Sequence, residues 1–165
     1  MKLLRIVKHL LVPQWMVARV FPAPMLDAIE QAIAASENQH TGELRFVVEG
    51  GLPLDDLLRS RTPRQRAIEL FSQLRVWDTA HNCGILIYVQ WVDHAVEILA
   101  DRGIAARVPQ AEWDAICREM ETAFKRGDYQ DGALAAITRA SALLATHFPM
   151  TAGDRNELSD KPLVL

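Results

Sequence analysis

The run Gly84–Val92 (GILIYVQWV) constrains the fold more than any other segment. A short, continuous apolar stretch rich in Ile and Val predicts a central strand covered on both faces. Asp93-His94 follows as a two-residue turn, and Ala95–Ala100 (AVEILA) as the return strand of a hairpin. A strand buried on both sides needs helices above and below it. The rest of the chain supplies them. Leu26, Ile29 and Ile33 predict a helix over 25–38, and Leu44–Glu49 reads as a strand behind the breaker Thr41-Gly42. Thr62-Pro63-Arg64-Gln65 has the spacing of a capping box, followed by the stripe Ala67, Leu70, Phe71 and Leu74. Trp113, Ile116, Met120 and Phe124 mark one further helix, closed by Gly127; Asp128 is expected to cap the last. The expected fold is a three-layer α/β/α sandwich, with a small mixed sheet of three to four strands covered by helices on both faces.

Composition narrows the function. The chain has 165 residues, half of them apolar, which suits a single core. A net charge of −3 argues against a general nucleic-acid binder, so no nucleic-acid partner is expected. Cys83 and Cys117 share no CxxC spacing and are expected as buried free thiols. There is no GxxxxGK[ST] loop, no GxSxG elbow and no HExxH. Arg59, Arg61, Arg64 and Arg66 form a basic run, expected as a solvated face or a contact for phosphate or a lipid headgroup.

Charge is unevenly placed. Lys2, Arg5, Lys8 and Arg19 are the only formal charges ahead of Asp27, and Leu3, Leu4, Val7, Leu10 and Leu11 fall at helical spacing between them. Residues 1–24 therefore read as a basic amphipathic segment, set off by Pro13, Pro22 and Pro24 as a helix-breaking linker. Its apolar face can lie on an anionic membrane surface, dock on a membrane protein, or pack on the chain's own core or a second subunit. No stretch free of Lys, Arg, Asp and Glu exceeds 14 residues, too short to span a bilayer. Arg5 and Lys8 also interrupt any secretory signal. Residues 25–149 form the expected folded domain, and 150–165 a flexible tail.

Topology sorts the polar residues. A helix between the first two strands favours a parallel crossover, and the next connection is a hairpin. One sheet edge then gathers His40, Thr41 and Glu43, then Asp78, Thr79, His81 and Asn82, then Asp101 and Arg102. Glu43, Asp78, Asn82 and Asp101 are the expected metal ligands, with His40, His81 and Arg102 as additional site residues. Carboxylates without a cation between them would repel. Oxygen-rich clusters suit Ca²⁺ or Mg²⁺, and the two histidines keep Mn²⁺ or Zn²⁺ open. The alternative is that Asp78 caps a turn, Arg102 pairs with Asp101, and Glu43 is solvated.

Several stretches together resemble the TPM domain: Glu43-Leu-Arg-Phe-Val-Val, Phe71 through Trp77-Asp78-Thr79, Asn82-Cys-Gly84-Ile-Leu-Ile-Tyr88, Val96-Glu97-Ile98, and Asp101-Arg102-Gly103. The resemblance implies an α/β/α sandwich, a divalent-cation site in some members, acid phosphatase activity, and work at membranes. It matches Asp78, Asn82 and Asp101 to the polar positions flanking the family's hairpin, and Glu43 to its first strand. The sequence lacks the export signal and the C-terminal membrane segment of many members, so a cytoplasmic protein, peripheral on the inner face of the membrane, is expected. The function expected is an accessory module that binds a divalent cation and a membrane or protein partner. The alternatives are a metal-dependent acid phosphatase and an inert structural or oligomerisation module.

Overall fold

The structure is a computed structural model that describes residues 2–151 and 155–165. In chain order the elements are α1 (Lys2–Leu10), α2 (Gln14–Val20), α3 (Ala23–Ser36), β1 (Glu43–Glu49), α4 (Leu54–Leu58), α5 (Pro63–Gln73), β2 (Gly84–Gln90), β3 (Ala95–Ala100), α6 (Arg102–Ala105), α7 (Gln110–Lys125), α8 (Tyr129–His147) and β4 (Leu163–Val164). The sheet order is β3-β2-β1-β4. β1 runs parallel to β2 and to β4, and β2 is antiparallel to β3. This is the mixed, four-stranded α/β/α sandwich that the strand and helix patterns call for.

The strands alternate sides with period two. Phe46 and Val48 of β1, Ile85 and Ile87 of β2, and Ile98 of β3 lie in one core with α2, α3, α7 and α8. Val47, Leu86, Tyr88 and Leu99 form the other, against Ala67 and Leu70 of α5. The Thr62–Gln65 capping box is present at the start of α5. Asp128 occupies the N-cap of α8 without a side-chain capping bond, and its carboxylate pairs with Arg126 instead. Cys83 and Cys117 are buried free thiols, and burial pushes Cys117 up to about 12. No helix among the described residues is long and apolar enough to cross a membrane.

Three expectations change. β2 ends two residues earlier, with the hairpin closing at Gln90 and Ala95 and leaving Trp91–His94 as a four-residue turn; His94 takes a positive φ of 53°. The prolines begin helices instead of forming a linker. Pro13 and Pro22 are the N-caps of α2 and α3, and Pro24 falls in the first turn of α3, where a missing N–H costs nothing. Val17 and Phe21 then enter the main core, so α2 is packed into the domain.

The third change is at the other end. Residues 155–165 form a strap along the open edge of β1 instead of a free tail. Leu163 and Val164 pair with Val47 and Val48. The Leu165 N–H donates to the Val48 carbonyl at 2.9 Å, and the Gly50 N–H donates to Leu165 at 3.1 Å. Arg45 adds bonds to the carbonyls of Ser159 and Lys161 at 2.5 and 2.8 Å. An unpaired strand edge carries a row of polar groups that need partners, and this segment supplies them.

Candidate functional site

The edge at the start of β1 and β2 holds the expected acidic residues. Glu43 pairs in register with Gly84, and the Asp101 N–H donates to the Gly84 carbonyl at 2.9 Å. Topology therefore brings Glu43, Asn82 and Asp101 to one corner, but their side chains are engaged separately. The buried Glu43 carboxylate accepts the backbone N–H groups of Glu157 and Leu158 at 3.1 and 3.2 Å. Asn82, at φ 51°, accepts the Arg102 Nε–H at 2.9 Å through its Oδ1. Asp101 caps α6 by accepting the Arg102 backbone N–H at 2.7 Å.

Asp78 is exposed, with Arg75 at 4.0 Å as its ion-pair partner. His81 is also exposed, whereas His40 is buried and its backbone bridges Pro149. Among the described residues, no group of three or more His, Cys, Asp or Glu is arranged to hold a metal. One oxygen is left over: Asp101 Oδ2 is buried and has no hydrogen-bond partner in the described structure.

The opposite edge, at the carboxyl ends of β1 and β2, carries a denser polar network that the sequence did not single out. Glu49 is 2% exposed. Its carboxylate accepts Arg66 Nε–H at 3.1 Å, Arg66 Nη2–H at 2.7 Å and the Tyr88 hydroxyl at 2.6 Å. Arg66 also donates to Glu69 at 2.9 Å, and Glu69 pairs with Arg61, which reaches Asp56 at 3.0 Å. Arg64 pairs with Glu97 at 3.1 Å. Three of the four arginines of the basic run are thus paired within the chain, Arg64 while still partly exposed, which corrects the solvated-face reading. Burial works against the Arg66 charge, but the hydrogen bonds and charges of Glu49 and Glu69 outweigh it and raise its pKa further. Burial and then the Glu49 charge push the Tyr88 phenol up, so it stays a donor.

Helix α1 lies over this end. Nine residues make a marginal helix alone, so α1 depends on what it docks against. It docks through Arg5 and His9, while Lys8 stays exposed. Arg5 grips Asp93 with Nε and Nη2 at 3.0 and 2.7 Å, and Nη2 also reaches the Arg61 carbonyl at 3.0 Å. The buried His9 ring accepts the Leu52 N–H at Nδ1, 3.0 Å, which leaves Nε2–H to donate to Asp93 at 3.1 Å. Burial raises the Asp93 pKa, but the hydrogen bonds from Arg5 and His9, together with the Arg5 charge, more than reverse this and hold the carboxyl below its ordinary range. Gly51 permits the approach, because a Cβ there would stand 2.6 Å from the His9 carbonyl oxygen.

The outward side of α1 is apolar. Leu3, Leu4, Val7, Leu10 and Leu11 are exposed, Leu3 and Leu11 by more than 70%. The neighbouring α4 adds exposed Leu54 and Leu58. Sequence amphipathicity located this stripe; it gave no sign that Arg5 and His9 would face the protein, since Arg5 and Asp93 are 88 residues apart.

The family model of the TPM domain matches residues 17–143. The fold is similar to the NMR structure of the BA42 protein from the psychrophilic bacterium Bizionia argentinensis, with 29% identity, a TM-score of 0.76, and 87% of this chain and 94% of that one covered. No curated protein matches the chain. With the family's pattern running through β1, the β2–β3 hairpin and the helices on both faces, the chain belongs to the TPM domain family.

Proposed function

We propose that this TPM-domain chain is an accessory binding module that rests on an anionic membrane surface through α1. One observation carries the reading: α1 is fixed to the domain by Arg5 and His9 and presents its whole apolar stripe outward. A contiguous exposed apolar patch marks an interaction surface. The charge beside it favours lipid over protein, because Lys8 is exposed on its flank and no acidic residue comes before Asp27. An interfacial helix of this kind combines apolar burial with attraction to anionic headgroups. The apolar face would be the contact, and the inward contacts of α1 would fix how the domain stands on the surface.

Deleting residues 1–24 would remove Val17 and Phe21 from the core, so substitutions at exposed positions make the cleaner test. The full chain is expected to sediment with vesicles of phosphatidylcholine and phosphatidylglycerol. Val7→Asp/Leu10→Asp withdraws about 3 kcal/mol of apolar burial and should weaken this at least ~100-fold. Wild-type protein left in the supernatant would sink the reading. Concentration-dependent dimers lost in the same variant would instead assign the stripe to a second copy.

A second reading, a divalent cation at the acidic edge, is favoured by the buried, unpartnered Oδ2 of Asp101. The metal-dependent phosphatase alternative depends on that cation. A hard ion accepted there should raise the unfolding midpoint of chelator-treated protein by mass action, about 2.7 kcal/mol at a hundredfold excess over Kd. Asp101→Asn keeps a competent N-cap for α6 and should abolish the rise. A flat response to Ca²⁺, Mg²⁺, Mn²⁺ and Zn²⁺ would remove this reading and the phosphatase with it.

A further inference from the structure

Beside α1 and the β2–β3 turn is an open cleft of about 440 Å³, within the range of small-ligand sites. Leu4, Arg5 and Lys8 form its helix wall; Val92, Asp93 and His94 form the turn wall, with His9 at the base. Its one carboxylate is already neutralised, since Asp93 is bound by Arg5 and by His9. Three sets of donors are unspent among the described residues. Arg5 uses Nε and Nη2 and leaves Nη1, the exposed Lys8 ammonium has no ion pair, and the His94 ring has no hydrogen bond. Leu4 belongs both to this wall and to the exposed apolar stripe, so the cleft opens beside that stripe.

We propose that this cleft takes a phosphate group, held by Lys8, Arg5 Nη1 and His94. The site stands on its own donors; assigning the phosphate to a lipid headgroup rests on the membrane reading above. With the stripe at the boundary between headgroups and acyl chains, the cleft mouth lies at the level of the phosphates. Lys8, on the flank of the stripe, reaches the same level along its aliphatic stem. A planar guanidinium edge and an ammonium together match the tetrahedral oxygens of a phosphate better than diffuse surface charge does.

The experiment has two arms on the full chain. In the first, inorganic phosphate and glycerol 3-phosphate are titrated while NMR follows the His94 ring and the amides of 5–9 and 92–94. The expected result is a saturable shift, present in Arg19→Gln and absent in Lys8→Gln/His94→Gly; glycine tolerates the positive φ at 94. No saturable shift in the wild type overturns the site. In the second arm, binding to phosphatidylcholine vesicles is compared with and without phosphatidic acid. Arg19→Gln should lose about fivefold, the loss expected for one cation outside the cleft. The cleft variant should lose more than tenfold of the phosphatidic acid-dependent gain while keeping its binding to neutral vesicles. Equal losses in the two variants, with the phosphate shift intact, overturn the lipid source and leave a free phosphate monoester. A wild type that ignores all vesicles defeats the membrane reading, and the titration still decides the cleft.

Discussion

Arg66→Ala is expected to cost about 3–5 kcal/mol, the range for stripping one partner from a buried ion pair. Native domains are stable by only ~5–15 kcal/mol, so the variant should unfold far below the wild-type midpoint. The guanidinium supplies most of the hydrogen bonds to a carboxylate that is almost fully buried; without it Glu49 keeps, among the described residues, only the Tyr88 hydroxyl. The cost lies in the charge left behind more than in the bond lost. Arg66→Met/Glu49→Gln, which removes both charges and roughly keeps both volumes, should therefore recover most of the loss. Denaturant titration of both variants checks this. A double variant as unstable as the single would show that the cost lies in the lost hydrogen bonds of the pair and not in a charge left unpaired. The result also bears on α1. Arg66 and Arg61 tie α5 to β1 and α4, and Arg61 offers Arg5 its carbonyl, so the platform under α1 rests on the same network.

The central sheet was legible because its signals are local. A nine-residue apolar run, a stretch of β-branched residues after Thr41-Gly42, and a capping box each report on their own neighbourhood. The acidic edge was legible as a location for a related reason: one parallel crossover and one hairpin fix which strand ends meet. What occupies those ends was not legible. Glu43 is engaged by backbone N–H groups more than a hundred residues later, in a segment with no periodicity of its own. β4 likewise pairs only two residues, fewer than any pattern can register. The polar network around Glu49 was missed because its members look ordinary one by one. Glu49 ends a strand, Tyr88 sits in an apolar run, and Arg66 belongs to a basic cluster that reads as surface. The available signal was positional: in parallel sheets the carboxyl ends of the strands are where polar groups converge. Helix α1 shows the limit of amphipathicity, which identifies two unlike faces without saying which one the protein keeps.

Gly84→Ala should be comparably damaging, although it adds a single methyl group. A Cβ at this position would stand 1.9 Å from the Val76 carbonyl oxygen and 2.9 Å from its carbon. The obstacle is backbone, so no rotamer relieves it. Either β2 moves away from β1, with which Gly84 pairs at Glu43, or the 76–79 segment is pushed outward. Overpacking a well-filled core commonly costs 1–3 kcal/mol through side-chain adjustment, and here the adjustment must come from main chain, so a loss above about 3 kcal/mol is expected. Adding Val76→Ala should not rescue the variant, because the contacting atom survives the truncation. A substantial rescue would trace the crowding to the Val76 side chain, whose Cγ1 stands 3.0 Å from the same point. The damage should reach the acidic edge first. Thr79 accepts the Cys83 N–H, and the Gly84 carbonyl accepts the Asp101 N–H, so shifting either segment releases the cap of α6. Hydrogen exchange should then show the amides of 101–105 opening in the variant before those of β2, whereas unfolding that begins at α1 would place the strain elsewhere.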